Sequence, residues 1–273
     1  MRTFAIGPVT AGGDRLLVLS GPCVVESEAL CLHVAERMRS LCAERGLPFV
    51  FKASYRKANR SSGRSFAGLP MDEALAVLAK VKRELGVPVV TDVHEEAEVA
   101  AAAEVADVLQ IPAFLCRQTG LLVAAAKTGR AVNVKKGQFL APADMRNAAE
   151  KIEGAGNDKV LFTERGTTFG YGDLVVDMRG LVVMRELGRP VLYDATHSLQ
   201  RPGGAETGGD RRFGLPLMRA AVACGVDGLF FETHPDPERA LSDAATQLPL
   251  EQAAAFLDQA CRVRDAVAEV TRG

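Results

Sequence analysis

Eight short apolar runs rich in β-branched residues alternate with amphipathic helical stretches along the chain. Strands that alternate with helices form parallel sheets, and eight such units in roughly 250 residues are typical of a (β/α)8 barrel. We therefore predict an α/β fold, a (β/α)8 TIM barrel, built as a single domain over residues 1–273. Residues 1–13 are predicted to form a short N-terminal hairpin at the barrel bottom. The predicted strands are 16–20, 48–53, 88–92, 108–112, 131–136, 159–164, 190–195 and 228–232.

The main alternative is an open doubly wound sheet, which has the same order of elements. Such sheets usually carry a Gly-x-Gly-x-x-Gly turn after the first strand, where the glycines let the backbone approach a dinucleotide. Here the corresponding turn, residues 20–25, reads Ser-Gly-Pro-Cys-Val-Val. The turn therefore favours the barrel.

Composition narrows the possible partners and the compartment. The formal net charge of −1 and the isoelectric point near 6.5 give no overall basic field that would attract nucleic acid. No apolar stretch approaches the length of a membrane span. The six cysteines show no Cys-x-x-Cys spacing, and a reducing compartment is the simplest setting for them. We predict a cytoplasmic protein with neither a nucleic-acid nor a membrane partner.

Basic side chains gather directly past the ends of the predicted strands. A lysine at the end of a parallel strand must be solvated or paired with an anion, because an isolated buried ammonium is costly. Parallel barrels also place their chemistry at the carboxyl ends of the strands. The pattern therefore predicts a strongly anionic substrate. The basic positions are Lys52 with the loop 52–62 that follows it, Arg117, Lys135, Lys136 and Arg165.

Four further side chains follow the first, seventh and eighth predicted strands, which are neighbours once a barrel closes. They are Cys23, His197, Glu232 and Asp243. A thiolate, an imidazole and two carboxylates suit a borderline divalent ion such as Zn²⁺, Fe²⁺ or Mn²⁺. The alternative is a buried, inert cysteine beside a hydrogen-bonded histidine.

Several segments resemble the 3-deoxy-D-manno-octulosonate 8-phosphate synthase family, and together they extend through nearly all of the chain from residue 16. The most distinctive segment is residues 57–62, Lys-Ala-Asn-Arg-Ser-Ser, after the second predicted strand. The others are residues 21–23, 110–119, 133–139, 163–166, 194–198 and 232–235.

The resemblance implies an activity, two substrates and an assembly. Phosphoenolpyruvate would condense with D-arabinose 5-phosphate and water to give 3-deoxy-D-manno-octulosonate 8-phosphate and inorganic phosphate, with cleavage of the C–O bond of phosphoenolpyruvate. This reaction is a step in lipopolysaccharide biosynthesis. The resemblance also implies a homotetramer.

The resemblance further implies roles for individual residues. Lys52, Gln110, Ala113 through its backbone, Arg117, Lys135 and Arg165 would hold phosphoenolpyruvate. Lys57, Asn59, Arg60 and Ser61 would hold the pentose phosphate, with Asp92 on its hydroxyls. Ser54 and His197 are also expected to contact substrate. The expected catalytic residues are Cys23, His197, Lys57, Asn59 and Asp243.

The family has a metal-dependent form with Cys at the position of Cys23 and a metal-independent form with Asn there. Because this chain has Cys23 together with His197, Glu232 and Asp243, it resembles the metal-dependent form. The implied cofactor is one divalent ion of the Zn, Fe, Mn, Co or Cd class.

Three rival functions differ from this expectation. The seven-carbon 3-deoxy-D-arabino-heptulosonate 7-phosphate synthase shares the barrel and uses erythrose 4-phosphate, but its loop reads roughly Lys-Pro-Arg-Thr where this chain has residues 57–62. An aldolase would use a strand-end lysine as a Schiff base. A non-catalytic protein would bind a sugar phosphate without turnover.

Overall fold

The computed structural model describes residues 1–58, 66–202 and 208–272. Parallel strands form a closed barrel in which each strand pairs with the next and the eighth pairs with the first and the seventh. A two-residue strand, Leu248–Pro249, adds to the end of the eighth. The barrel strands are β1 Leu17–Gly21, β2 Phe49–Lys52, β3 Val89–Asp92, β4 Val108–Ile111, β5 Ala131–Lys135, β6 Val160–Glu164, β7 Val191–Asp194 and β8 Gly228–His234.

A helix follows each barrel strand, and local signals set the helix ends. The Ser27 hydroxyl accepts a hydrogen bond from the backbone of Leu30 and caps the first helix. Gly86, at φ +64°, ends the second in a left-handed conformation that favours glycine. The helices are α1 Glu28–Glu44, α2 Met71–Leu85, α3 Glu96–Val105, α4 Thr119–Lys127, α5 Met145–Gly154, α6 Met178–Glu186, α7 Gly214–Ala223 and α8 Ala253–Arg272.

Two apolar layers stabilise the barrel, because alternate strand residues face opposite sides. The larger layer lies between the strands and the helices. The smaller fills the lower half of the barrel interior, where it includes Leu17, Val108 and Phe230. Full burial of such side chains contributes roughly 1.5–3 kcal/mol each.

An N-terminal hairpin completes the inner layer, as the sequence predicts. Its strands Phe4–Ile6 and Val9–Ala11 pair antiparallel, and the buried side chains of Ile6 and Ala11 join the inner apolar cluster. The backbone N–H of Arg2 donates to the carbonyl of Gly188, just before β7. The hairpin therefore covers the N-terminal end of the barrel and leaves the carboxyl end for the site.

The structure confirms the predicted barrel. The observed strand bounds differ from the predicted ones by one or two residues, and the largest change extends β8 to His234. Glu232 therefore lies inside this strand. Among residues 1–58, 66–202 and 208–272, no helix combines the length and apolarity needed to cross a bilayer.

Candidate active site

Polar side chains replace apolar ones on the inner face of the barrel towards the carboxyl ends of the strands. On strand after strand, the residue two positions past the apolar layer is polar and buried, because a step of two keeps the same face. These residues require partners inside the barrel, since burying an unpaired polar group is costly. They are Lys52, Asp92, Gln110, Asn133, Thr163, Asp194 and Glu232.

Four of the predicted residues converge on one side of this polar layer, which we call the ligand side. Cys23 follows β1, Glu232 lies on β8, and Asp243 lies in the loop after β8; their ligand atoms are within 4.8 Å of one another. His197 begins a short 3-10 helix after β7. Its Nε2 is 3.6 Å from Glu232 Oε1 and 3.5 Å from Asp243 Oδ2. The closed barrel brings these residues together.

The residues of the ligand side fit a divalent metal ion. Glu232 Oε2 is buried and has no hydrogen-bond partner among the described residues. Burial raises the pKa of the Cys23 thiol, and the Asp243 and Glu232 carboxylates raise it further. A divalent cation would offset this negative charge and favour the thiolate. Asp194 Oδ2 lies 2.9 Å from His197 Nδ1, and such a contact leaves the other ring nitrogen for a metal.

Asp243 also has an unusual backbone. Its φ of +49° is in the left-handed region, and among the described residues it is the only non-glycine there. Such strain, about 1–3 kcal/mol, persists where surrounding contacts enforce it and often marks functional sites. The Asp243 carbonyl accepts from the backbone of Thr246 and Gln247, which holds the carboxylate at the barrel mouth.

Buried cations lie beside these groups, on what we call the cation side. Lys52 Nζ is 2.5 Å from Glu232 Oε1, and Lys57 Nζ is 3.8 Å from the same oxygen. Lys135 Nζ is 2.8 Å from Asp194 Oδ2 and 3.9 Å from the centre of the Phe230 ring. The buried ammonium groups therefore form ion pairs that connect the two sides.

On part of the cation side, the nearby carboxylates do not fully offset the burial of positive charge. Burial lowers the pKa of Lys135, although the Asp194 carboxylate opposes the shift. Burial likewise lowers the pKa of Arg165, against the influence of Asp194 and Asp243. Lys57 differs, because Cys23, Glu232 and Asp92 outweigh the effect of burial and raise its pKa. An anion beside Lys135 and Arg165 would offset the burial of their charges.

The remaining predicted substrate residues lie at different distances from this centre. Arg165 donates to Gln200 Oε1 at 2.6 Å. Ser54 and Gln110 both donate to the Asp92 carboxylate. Ala113 is buried at the start of the 3-10 helix Ala113–Leu115. Arg117 is exposed, and its side chain makes no ion pair with the described residues. Asn59, Arg60 and Ser61 lie outside the described residues.

Lys136 is not part of the barrel mouth, contrary to the sequence expectation. Its neighbour Lys135 faces inward, and consecutive strand residues point to opposite sides. Lys136 Nζ instead lies 3.6 Å from Glu164 Oε1 and donates to Thr167 Oγ1 and to the carbonyl of Leu140. This lysine therefore ties together the loops after β5 and β6.

Several residues of the site are absent from the roles that the sequence predicts. Asp194, Asn133 and Thr163 carry a usable signal, because each is a polar residue two positions beyond an inner apolar residue. Ser242, whose Oγ is 2.7 Å from Cys23 Sγ, has no comparable signal. Its contact depends on the loop between β8 and α8.

Comparisons with known proteins find a matching family and relatives that cover most of the chain. A family model described as the DAHP synthetase I family matches residues 4–269. A protein of Trichlorobacter lovleyi is 56% identical over 259 residues, covering 94% of this chain and 95% of that protein. One of Syntrophotalea carbinolica is 56% identical, with 92% and 91% covered. One of Acidithiobacillus ferrooxidans is 58% identical, with 85% and 84% covered. All three are named 2-dehydro-3-deoxyphosphooctonate aldolase.

Proposed function

The chain belongs to the DAHP synthetase I family, and on that premise we propose that it makes 3-deoxy-D-manno-octulosonate 8-phosphate and inorganic phosphate. The substrates are phosphoenolpyruvate, D-arabinose 5-phosphate and water, and the reaction is a step in lipopolysaccharide biosynthesis. The names and high identity of the relatives support this assignment. The observation that carries it is a barrel mouth in which a metal-ligand set faces buried cations.

The reaction forms one carbon–carbon bond and one carbon–oxygen bond, the latter from water, and breaks the carbon–oxygen bond to phosphate. C3 of phosphoenolpyruvate attacks the aldehyde carbon of the pentose, and the aldehyde oxygen takes a proton to become a hydroxyl. Water adds to C2 of phosphoenolpyruvate and loses a proton. The C2–O bond to phosphate then breaks as the new C2 hydroxyl loses its proton, which releases inorganic phosphate and leaves the keto group. Of the two protons that water loses, one balances the proton taken up by the aldehyde oxygen and the other leaves with the phosphate.

Charge balance supports the placement of phosphoenolpyruvate on the cation side. We assign Lys52, Gln110, the Ala113 backbone, Arg117, Lys135 and Arg165 to this substrate. Lys135 and Arg165 suit a phosphate or carboxylate, because the nearby carboxylates only partly offset the burial of their charges. Bound there, the substrate would have its carboxylate and phosphate fixed before reaction.

We assign the pentose phosphate to Ser54, Lys57, Asn59, Arg60, Ser61 and Asp92. The raised pKa of Lys57, which Cys23 and Glu232 cause against the effect of burial, supports a proton held at Nζ. That ammonium is suited to stabilise negative charge on the aldehyde oxygen and to donate a proton to it. Asp92 is suited to accept hydrogen bonds from sugar hydroxyls.

We assign the metal to Cys23, His197, Glu232 and Asp243, with an ion of the Zn, Fe, Mn, Co or Cd class. Such an ion, when bound, can polarise a carbonyl or lower the pKa of a water molecule. Asp194 supports the site, because its contact with His197 Nδ1 leaves Nε2 towards Glu232 and Asp243. We also assign substrate contact to His197 and catalytic roles to both His197 and Asp243.

A parallel assay tests the function against its nearest rival. Phosphate release from phosphoenolpyruvate should require arabinose 5-phosphate and should be far slower with erythrose 4-phosphate. A clear preference for erythrose 4-phosphate would assign the chain to the seven-carbon reaction instead. The sequence of residues 57–62 supports the pentose. Trapping of a substrate on a lysine by borohydride would favour the Schiff-base aldolase.

We also propose a homotetramer in the cytoplasm. The loops after β4, β5 and β6 each carry an exposed phenylalanine, Phe114, Phe139 and Phe169, which are 55%, 57% and 69% exposed. Exposed aromatic side chains on three successive loops at the same end of the barrel are typical of protein interfaces. All six cysteines are free thiols, as expected in a reducing compartment. Light scattering of the purified protein would give the subunit number.

A further inference from the structure

A continuous row of hydrogen bonds crosses the barrel interior directly above the inner apolar layer. We call this row the polar ladder; its members are Ser54, Asp92, Gln110, Asn133 and Thr163, all buried. Asp92, Gln110 and Asn133 are register partners on β3, β4 and β5. Their partners two positions earlier are the apolar Val90, Val108 and Ala131. The ladder is therefore the first polar layer beneath the barrel mouth.

The carboxylate of Asp92 sets the direction of the hydrogen bonds in the ladder. An ionised carboxylate only accepts hydrogen bonds, so Gln110 must turn Nε2 towards Asp92. Gln110 Oε1 then faces Asn133 and accepts from its Nδ2 at 2.9 Å. Asn133 Oδ1 in turn accepts from the Thr163 hydroxyl at 2.8 Å. Each donor therefore points along the ladder towards Asp92.

This direction fixes what Gln110 can offer to a bound molecule. One N–H of its amide is used by Asp92, and Oε1 is held by Asn133. The remaining strong group is the second N–H, a donor. A flipped amide would set its oxygen against the Asp92 carboxylate and its NH2 against that of Asn133. A donor at this position suits an anionic substrate.

We propose that Asn133 and Thr163 are positioning residues that keep Gln110 a hydrogen-bond donor towards phosphoenolpyruvate. They act through Gln110 and not by contact with the substrate. The inference rests on the proposed function, in which Gln110 contacts phosphoenolpyruvate, and it adds two residues that support that contact.

The pair Thr163→Val and Thr163→Ser separates this role from packing. Valine keeps the branched shape but has no hydroxyl, so Asn133 Oδ1 loses its donor; serine keeps the hydroxyl but loses a methyl group. Thr163→Val should raise KM for phosphoenolpyruvate about tenfold, because a buried acceptor is left unpaired. KM for the pentose phosphate should change less than about twofold, since Asp92 keeps its bond from Ser54. Thr163→Ser should behave like the unmodified protein.

Asn133→Asp supplies a second and stronger test. It preserves size but replaces the Nδ2 donor with a carboxylate oxygen, which would accept the free N–H of Gln110. Gln110 would then present its oxygen to the substrate, and KM for phosphoenolpyruvate should rise further than in Thr163→Val. Because this variant adds a charge, its effect counts only together with the neutral Thr163→Val.

These experiments can reject the positioning role of Asn133 and Thr163 without rejecting the proposed function. With far-UV circular dichroism verifying the fold of each variant, an unchanged KM in Thr163→Val, or a larger loss in Thr163→Ser than in Thr163→Val, would overturn the positioning role alone. If Thr163→Val does not fold, an unchanged KM in Asn133→Asp has the same consequence. No phosphate release by the unmodified protein with either sugar phosphate would overturn the proposed function and this role with it.

Discussion

The two sides of the barrel mouth differ in the sign of the buried charge that neighbouring groups only partly offset. On the ligand side, burial and nearby carboxylates raise the pKa of Cys23, and Glu232 Oε2 has no partner among the described residues. On the cation side, burial lowers the pKa of Lys135 and Arg165. The ligand side is therefore suited to a cation and the cation side to an anion. The difference indicates where a metal and phosphoenolpyruvate would bind.

Asp194 connects the two sides. Its Oδ2 lies 2.8 Å from Lys135 Nζ and 2.9 Å from His197 Nδ1, while Oδ1 accepts from the backbone of Thr196 and His197. One carboxylate thus contacts both the lysine that we assign to phosphoenolpyruvate and the histidine that we assign to the metal. Substitutions on each side, and of the residues between them, therefore test the two sides separately.

The largest loss of activity should follow removal of the metal from the ligand side. Chelation with EDTA or dipicolinate should abolish activity, and one divalent ion should restore it. Cys23→Ser should weaken metal binding by roughly a hundredfold or more, because it removes the thiolate that we assign as a principal ligand. Metal content and a competitive chelator titration measure the effect directly.

Cys261→Ser is the matched control, since this free cysteine lies on α8, away from the ligand side. It should leave metal affinity unchanged. Full activity in a metal-free sample would contradict the assignment of the ligand side.

The next largest effect should be a difference between the variants of two consecutive lysines, Lys135 and Lys136. Lys135→Met should raise KM for phosphoenolpyruvate, because a charge-assisted contact of about 1.5–3 kcal/mol is lost. Lys136→Met should leave that KM nearly unchanged but lower the free energy of unfolding by roughly 3–5 kcal/mol, since it leaves the buried Glu164 without its ion-pair partner. Steady-state kinetics and urea unfolding of both variants test this contrast. Similar kinetic losses in both would place Lys136 in the barrel mouth as well.

This pair of lysines also shows how much of the site can be predicted from the sequence. The barrel and the convergence of the four ligand-side residues were predictable, because alternating elements define parallel strands and their carboxyl ends meet at one mouth. The face of each residue was less evident. Lys135 and Lys136 are the same residue type at adjacent positions, and only the register with β4 and β6 shows which one points inward.

Which residues of the polar layer hydrogen-bond to one another was harder to predict than which residues belong to the layer. Asn133 and Thr163 are polar residues in otherwise apolar strands, which indicates a buried role. The hydrogen bonds that join them to Gln110 depend on the stagger between strands, because Asn133 is in register with Leu161 and not with Thr163. The contact between Ser242 and Cys23 depends on the conformation of a loop, for which the sequence gives no periodic signal.

A smaller effect should appear in the free energy of unfolding at acidic pH, through Asp194, which contacts both sides. Burial opposes ionisation of Asp194, but His197 and Lys135 outweigh it and lower the pKa of its carboxyl below the ordinary 3.8. The unfolded chain therefore binds this proton at a higher pH than the folded protein does. The stability from ionised Asp194 should be fully present above about pH 5 and decline as the pH falls further, by roughly 1.4 kcal/mol for each unit of pKa lowering.

Urea unfolding between neutral and acidic pH tests this expectation. Asp194→Asn should flatten the decline below about pH 5, because the group with the lowered pKa is gone. Asp72→Asn, at an exposed position on α2, should leave the decline unchanged. An equal slope in Asp194→Asn and the unmodified protein would mean that Asp194 does not contribute to the acid sensitivity.

The smallest effect should come from Ser242, whose Oγ lies 2.7 Å from Cys23 Sγ. A metal-bound thiolate has no proton to donate, so the serine hydroxyl must then be the donor. Ser242→Ala should weaken metal affinity by about tenfold, as is usual for a residue that hydrogen-bonds a ligand, without changing the ligand set. Ser20→Ala is the control, because the buried Ser20 hydroxyl has no hydrogen-bond partner among the described residues. A competitive chelator titration of both variants, independent of turnover, measures the difference. Equal affinities would show that the serine contact does not stabilise the thiolate, and that the charge of the ion alone offsets the effects that raise the pKa of Cys23.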